Sequence, residues 1–177
     1  MDRKEGVSLI TRYIVMIFFG LFNLALIYFI FTPLTVYPVY LILSKLNDST
    51  ILISLKPIPA ILFKGYIAQI INACVAGSAY YLLLVLNLST PMDWKRRIKS
   101  LSFVLISFLI INIIRIVTFA LLVPKGYQYF DAAHELSWYF GSSIMLIILW
   151  FSSVLIFKIR GVPVYSDLKS IYQDIRR

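Results

Sequence analysis

Residues 101–123 read LSFVLISFLIINIIRIVTFALLV, an apolar run interrupted by a single charge, Arg115. About 20 mainly apolar residues are enough to cross the hydrocarbon core of a bilayer as a helix, so this stretch sets the expected solvent for the chain. Three further runs read the same way: 13–31, 73–89 and 133–157. The composition agrees with them. Of 177 residues, 60% are hydrophobic and the mean hydropathy is +0.87, where roughly 45–50% apolar is ordinary for a soluble domain. The expected fold is an all-α polytopic membrane protein, a single membrane domain over 1–177 with about four transmembrane helices. The first run is too long for a signal-peptide core and no small-residue cleavage motif follows it, so it is expected to be retained.

Charge gives the chain an orientation. A net charge of +9 could indicate nucleic acid, but in so apolar a sequence the excess fits basic cytoplasmic segments beside anionic lipid, and no nucleic-acid partner is expected. Lys and Arg concentrate in 1–12, 90–100 and 158–177. Outside these stretches stand only Lys45, Lys56, Lys64, Lys125 and Arg115. The positive-inside rule then puts both termini and the 90–100 loop in the cytoplasm. Segments 32–72 and 124–132 fall on the outer side of the cell membrane. The single cysteine, Cys74, excludes an internal disulfide and a multi-cysteine zinc site. One histidine and scattered carboxylates make no metal-ligand set, and no cofactor is implied.

The outer segment 32–72 has structure of its own. Pro38 reads as the start of a short interfacial helix ending at Ser44. The runs ILISL (51–55), AILF (60–63) and YIAQII (66–71) are rich in isoleucine and aromatics. Lys64-Gly65 is a two-residue break in which glycine supplies the positive φ of a tight hairpin. A small β-hairpin is expected there, which moves the start of the second span to about Ala73 and puts Cys74 in its first turn. The tail carries Val164, Leu168, Ile171 and Ile175 at helical spacing after Ser166, an N-cap residue type. It reads as an amphipathic helix on the inner surface.

Three residues are out of place in lipid. An arginine near the centre of a membrane helix costs about 2.5–3.5 kcal/mol even on a lenient insertion scale, so Arg115 is expected to face the bundle and bond to a partner. His134 opens the fourth span, with Asp131 as its cap and Glu135 beside it. Cys74 alone reads as packing, because Ala73, Ala76, Gly77, Ser78 and Ala79 around it are the small residues of a close helix interface. The topology changes that reading. Spans two, three and four bring Cys74, Arg115 and His134 to one depth on the outer side. A thiol, a proton-transfer group and a fixed cation are the parts of acyl transfer, and a first-turn cysteine gains further from the helix dipole.

The order INACVAGSAYYLLLVLNL (71–88), IINIIRIVTFALL (110–122) and FDAAHELSWYFGSSIMLIILW (130–150) resembles the exosortase/archaeosortase family, most of all its compact archaeal members. That family has a cysteine in a small-residue motif opening one span, Asn-x-x-Arg on the next and His opening the one after. Cys74, Asn112 to Arg115 and His134 match in order. The resemblance implies a membrane cysteine peptidase or transpeptidase with Cys74 as nucleophile, His134 as proton carrier and Arg115 as electrostatic stabiliser. It implies exported protein partners bearing a C-terminal motif, a transmembrane helix and a basic cluster. These would be cleaved at the outer face, with transfer to a lipid or another acceptor. Asn72, Asn112, Asp131 and Glu135 are left as supporting candidates. One departure stands out: relatives often carry glycine two residues after the cysteine, whereas here Val75 and Ala76 precede Gly77. A second reading, from another class, makes the chain a non-catalytic structural or transporter-associated subunit with Arg115 as an interhelical clamp.

Overall fold

The computed structural model describes residues 3–21, 24–55, 58–126, 128–159 and 172. Its helices are α1 (Arg3–Leu21), α2 (Ala25–Leu46), α3 (Asn72–Val75), α4 (Gly77–Leu88), α5 (Trp94–Leu122), α6 (Phe130–Leu136) and α7 (Ser142–Ile156). Strands β1 (Ile51–Ser54), β2 (Ala60–Phe63) and β3 (Tyr66–Gln69) lie between α2 and α3. Among the described residues three helical stretches are long and apolar enough to cross a membrane: Ala25–Leu46, Trp94–Lys125 and Phe130–Ile156. Gly6–Leu21 and Asn72–Leu88 are shorter apolar helices. Mostly helical and apolar, the molecule is consistent with a membrane protein carrying a small sheet.

The first expected span does not form as one helix over 13–31. Leu24 adopts a left-handed conformation, φ 60°, which separates α1 from α2. The reason is packing. Tyr81 Oη donates to the Met16 carbonyl at 3.1 Å, holding α1 along α4. Beyond the break, α2 turns to cover the sheet. The short helix expected from Pro38 is therefore the second half of α2, which runs on through Pro33 and Pro38. Proline persists within an apolar helix where neighbouring elements satisfy the freed backbone groups. The segment outside the helices thus begins near Asn47 rather than at 32.

The hairpin is present and gains a strand. β1, β2 and β3 form an antiparallel meander, with Phe63 opposite Tyr66 across the turn. Lys64 (φ 50°) and Gly65 (φ 83°) both take positive φ, the geometry of a type I′ turn matched to strand twist. Ile61 and Phe63, two apart and so on one face of β2, are buried with Val36, Val39 and Leu43 of α2 and Val117 of α5. A second cluster joins Ile27, Tyr80, Leu83, Val104, Phe108, Leu146 and Leu149 in the helix bundle. Tyr80 links the elements, stacked on Phe31 at 3.8 Å and edge-on to Phe108 at 4.9 Å; such contacts add to plain area burial.

Contacts along the helices define two ends. At one, Arg12 Nη1 donates to the Leu88 carbonyl at 3.1 Å, and Arg97 donates to the carbonyls of Asn87, Leu88, Thr90 and Met92 at 2.6–3.4 Å. The Ser100 and Ser153 hydroxyls meet there at 2.7 Å. Arg12 and Arg97, counted in the sequence as loop charges, are buried caps for the carbonyls left open at the C-terminus of α4. At the other end lie Cys74, Arg115 and His134. The expected tail helix, with Ser166 as its cap, lies outside the described residues apart from the exposed, helical Tyr172.

Candidate active site

The chain enters the site through α3, a single turn. Ala76 takes φ 59°, ψ 45° and cuts α3 from α4, so Cys74 does not open one continuous span from 73 to 89. A turn of four residues has little aligned dipole, and the activation expected from a long helix does not apply. Ala76, two residues after Cys74, holds this left-handed position at a cost of about 1–2 kcal/mol for a residue with a Cβ. Gly77 follows because α2 leaves no room: a Cβ there would meet the Tyr28 ring at 2.6 Å.

The break opens backbone that α5 then covers. In an unbroken helix the Cys74 and Val75 carbonyls would accept from Ser78 and Ala79, but the Ala79 amide bonds to Ala76 instead. Asn112 Nδ2 donates to the Cys74 carbonyl at 2.9 Å and to that of Val75 at 3.4 Å. Asn112 is completely buried and lies one helical turn before Arg115. Arg115 Nη2 reaches the same Cys74 carbonyl at 3.4 Å, and Nη1 donates to Ser142 Oγ on α7 at 2.7 Å. Arg115 therefore joins α5, α3 and α7.

His134 arrives on the helix that runs from Phe130 to Ile156. That helix starts three residues earlier than expected, so His134 falls in its second turn. Asp131 is not the cap: Tyr129 holds the N-cap position without a side-chain bond, and Asp131 is an exposed first-turn residue. The His134 ring stacks on Phe130 at 5.7 Å and meets Phe119 of α5 edge-on at 5.1 Å. Between α6 and α7, residues Ser137–Gly141 form a wide π turn, with the Ser142 amide bonded back to the Ser137 carbonyl. Such turns recur at functional sites.

These elements enclose a cavity of about 320 Å³ lined by Cys74, Arg115, His134 and Glu135, with Ala73, Phe119 and Trp138 among its other walls. Cys74 and Arg115 are half-buried, and His134 and Glu135 are exposed. Asn112 supports the Cys74 backbone from outside the cavity. Asn72 lines an adjoining cavity of about 490 Å³ that shares Ala73 and Trp138 with the first. Asp131 lines neither. Among the described residues no group of three His, Cys, Asp or Glu side chains could hold a metal ion. Sequence reasoning missed Ser142 and Trp138. The signal for Ser142 was the small polar Gly141-Ser142-Ser143 step inside an apolar run; Trp138 carried none. Comparison with protein-family models, curated proteins and solved structures finds no match for this chain.

A thiol, an imidazole, a guanidinium and a carboxylate around one part-apolar cavity can carry out nucleophilic acyl chemistry. The thiol is the attacking group, the imidazole the proton acceptor and donor, and the guanidinium a fixed positive charge for a developing oxyanion.

Proposed function

We propose that this chain is a multi-pass membrane cysteine peptidase or transpeptidase of the exosortase/archaeosortase type. In this reading both termini are cytoplasmic and the site opens on the outer face. The observation that carries it is the cavity whose walls include Cys74, Arg115 and His134 together, three residues far apart in sequence. The basic 90–100 loop, on the Arg97 end, supports the orientation.

In the proposed reaction, His134 takes the Cys74 proton and the thiolate attacks the carbonyl of the scissile peptide bond. Arg115 stabilises the negative charge on that oxygen. The C–N bond breaks as His134 returns the proton to the leaving amine, which leaves a thioester on Cys74. An acceptor hydroxyl, amine or water then attacks the thioester, gives its proton to His134 and releases the thiolate. The substrates are exported proteins ending in a short motif, a transmembrane helix and a basic cluster, with a lipid as one acceptor class.

The test co-expresses the chain with such a substrate and follows its C-terminus by mass spectrometry. Wild type yields a cleaved product and a trappable acyl-Cys74 adduct. Cys74→Ala leaves the substrate whole, with turnover down at least about a thousandfold. Normal processing in that variant overturns the proposal.

A second reading has its own observation. The Arg115 guanidinium bonds to Ser142 and to the Cys74 carbonyl, which also suits an interhelical clamp in a non-catalytic subunit. That reading expects Cys74→Ala to be silent and Arg115→Leu to prevent assembly.

A further inference from the structure

At the opposite end from Cys74, α1 rests on α4 but stands away from α5, and the wedge between them is a cleft of about 780 Å³. Its polarity is ordered along the helix axis. Ser8, Thr11 and Arg12 line its outer part, and Trp94 stands at its rim, 67% exposed. From Arg12 to Phe19 on α1, and from Trp94 to Leu101 on α5, seven residues carry each wall about 10 Å deeper. There the lining is purely apolar and includes Leu84 of α4.

We propose that this cleft is a binding site for one anionic phospholipid, its phosphate at Arg12 and one acyl chain between Phe19, Leu84 and Leu101. Three observations select that occupant. The cleft is amphipathic in the sense of an inner-leaflet lipid, polar at the bundle end and apolar within. Arg12 is buried at the junction, its guanidinium anchored by the Leu88 carbonyl, and arginine binds phosphate through paired charge-assisted bonds. Trp94 sits at the mouth, where an indole favours the headgroup level. The neighbouring charge has the right sign: Lys95 and Lys99 are exposed on the first turns of α5, while Arg96 and Asp93 offset one another at 3.9 Å. A basic partner segment would meet this charge unfavourably. The site rests on membrane residence, and its assignment to the inner leaflet on the orientation proposed above, but not on the chemistry at Cys74.

The full chain, purified in mild detergent, is mixed with phosphatidylglycerol or phosphatidylcholine of identical acyl chains, and bound lipid is counted by native mass spectrometry. Carbonate-washed membranes are assayed in parallel, so failure of membrane residence is distinguished from failure of the site. Wild type is expected to retain one phosphatidylglycerol about tenfold more tightly than phosphatidylcholine, the scale of one charge-assisted contact. Leu84→Trp and Val15→Trp, which fill the cleft from α4 and from α1, are expected to lose retention of both lipids. Arg12→Lys should keep the preference, and Arg12→Gln should erase it. A photoactivatable phosphatidylglycerol should cross-link within residues 7–19 and 84–101. Equal retention of the two lipids by wild type, or unchanged phosphatidylglycerol binding when both cleft-filling variants fold, overturns the proposal.

Discussion

α5 carries a buried arginine, Arg97, and a half-buried one, Arg115, eighteen positions apart, and their surroundings differ. Arg97 is closed in. It is 3% exposed and its guanidinium is given over to the carbonyls around the end of α4. Beside it Asn87, Ser100 and Ser153 pass hydrogen bonds from α4 through α5 to α7. Arg115 is open. It bonds a serine and one carbonyl while lining a cavity beside a thiol and an imidazole. Arg97 closes the place where α4 gives way to the loop before α5, whereas Arg115 faces helices interrupted at Ala76 and again at Ser137–Gly141. A polar group saturated by its neighbours holds helices together. One left facing a cavity is available to a ligand.

The sharpest way to break this contrast is to remove each arginine in turn. Arg97→Leu leaves several buried carbonyls unmet at about 1–3 kcal/mol each. It should remove most folded protein, read as lost detergent-stable monomer in size-exclusion chromatography. Arg115→Leu should leave a folded protein whose processing of a tail-bearing substrate falls about a hundredfold to a thousandfold, the loss typical of an electrostatic stabiliser. If the two variants behave alike in the folding assay, the distinction fails and the clamp reading gains.

Ser142→Ala sharpens the comparison. It removes the 2.7 Å acceptor of Arg115 but leaves the cavity walls in place. Turnover should fall about tenfold, with thermal stability changed by only about 1 kcal/mol. Ser142→Thr should restore the rate because it keeps the hydroxyl. The smallest effect is expected at Ala76. Glycine tolerates the left-handed conformation that costs alanine about 1–2 kcal/mol, though it also loses more entropy on folding. Ala76→Gly should stabilise the chain by about 0.5–1 kcal/mol net, measured as a raised midpoint of thermal unfolding.

What the sequence revealed follows from which physical constraints leave a compositional mark. The Lys64-Gly65 turn was readable because a two-residue hairpin needs positive φ and glycine supplies it. Arg115 was readable because an arginine in an apolar run is expensive, and Cys74 and His134 because each is unique in the chain. The breaks were hidden. Leu24 and Ala76 take left-handed backbone without glycine, and Ala76 is the residue type most favourable to helix. Pro38 misled in the opposite direction, reading as a helix start although α2 carries it internally. Arg12 and Arg97 were hidden as well, since a basic loop residue and a buried carbonyl cap are the same letter, and only the fold tells them apart.

The wide turn at Ser137–Gly141 sets an angular register. His134 and Ser142 are eight positions apart, and eight residues of regular helix, at 3.6 per turn, end about 80° past two full turns. One residue absorbed by the π turn reduces the effective count to seven, about 20° short of two turns. Imidazole and hydroxyl are thereby phased onto the side of the helix that Arg115 faces. A chain shorter by one residue here would keep every side chain named in the site and still point one of them away from it.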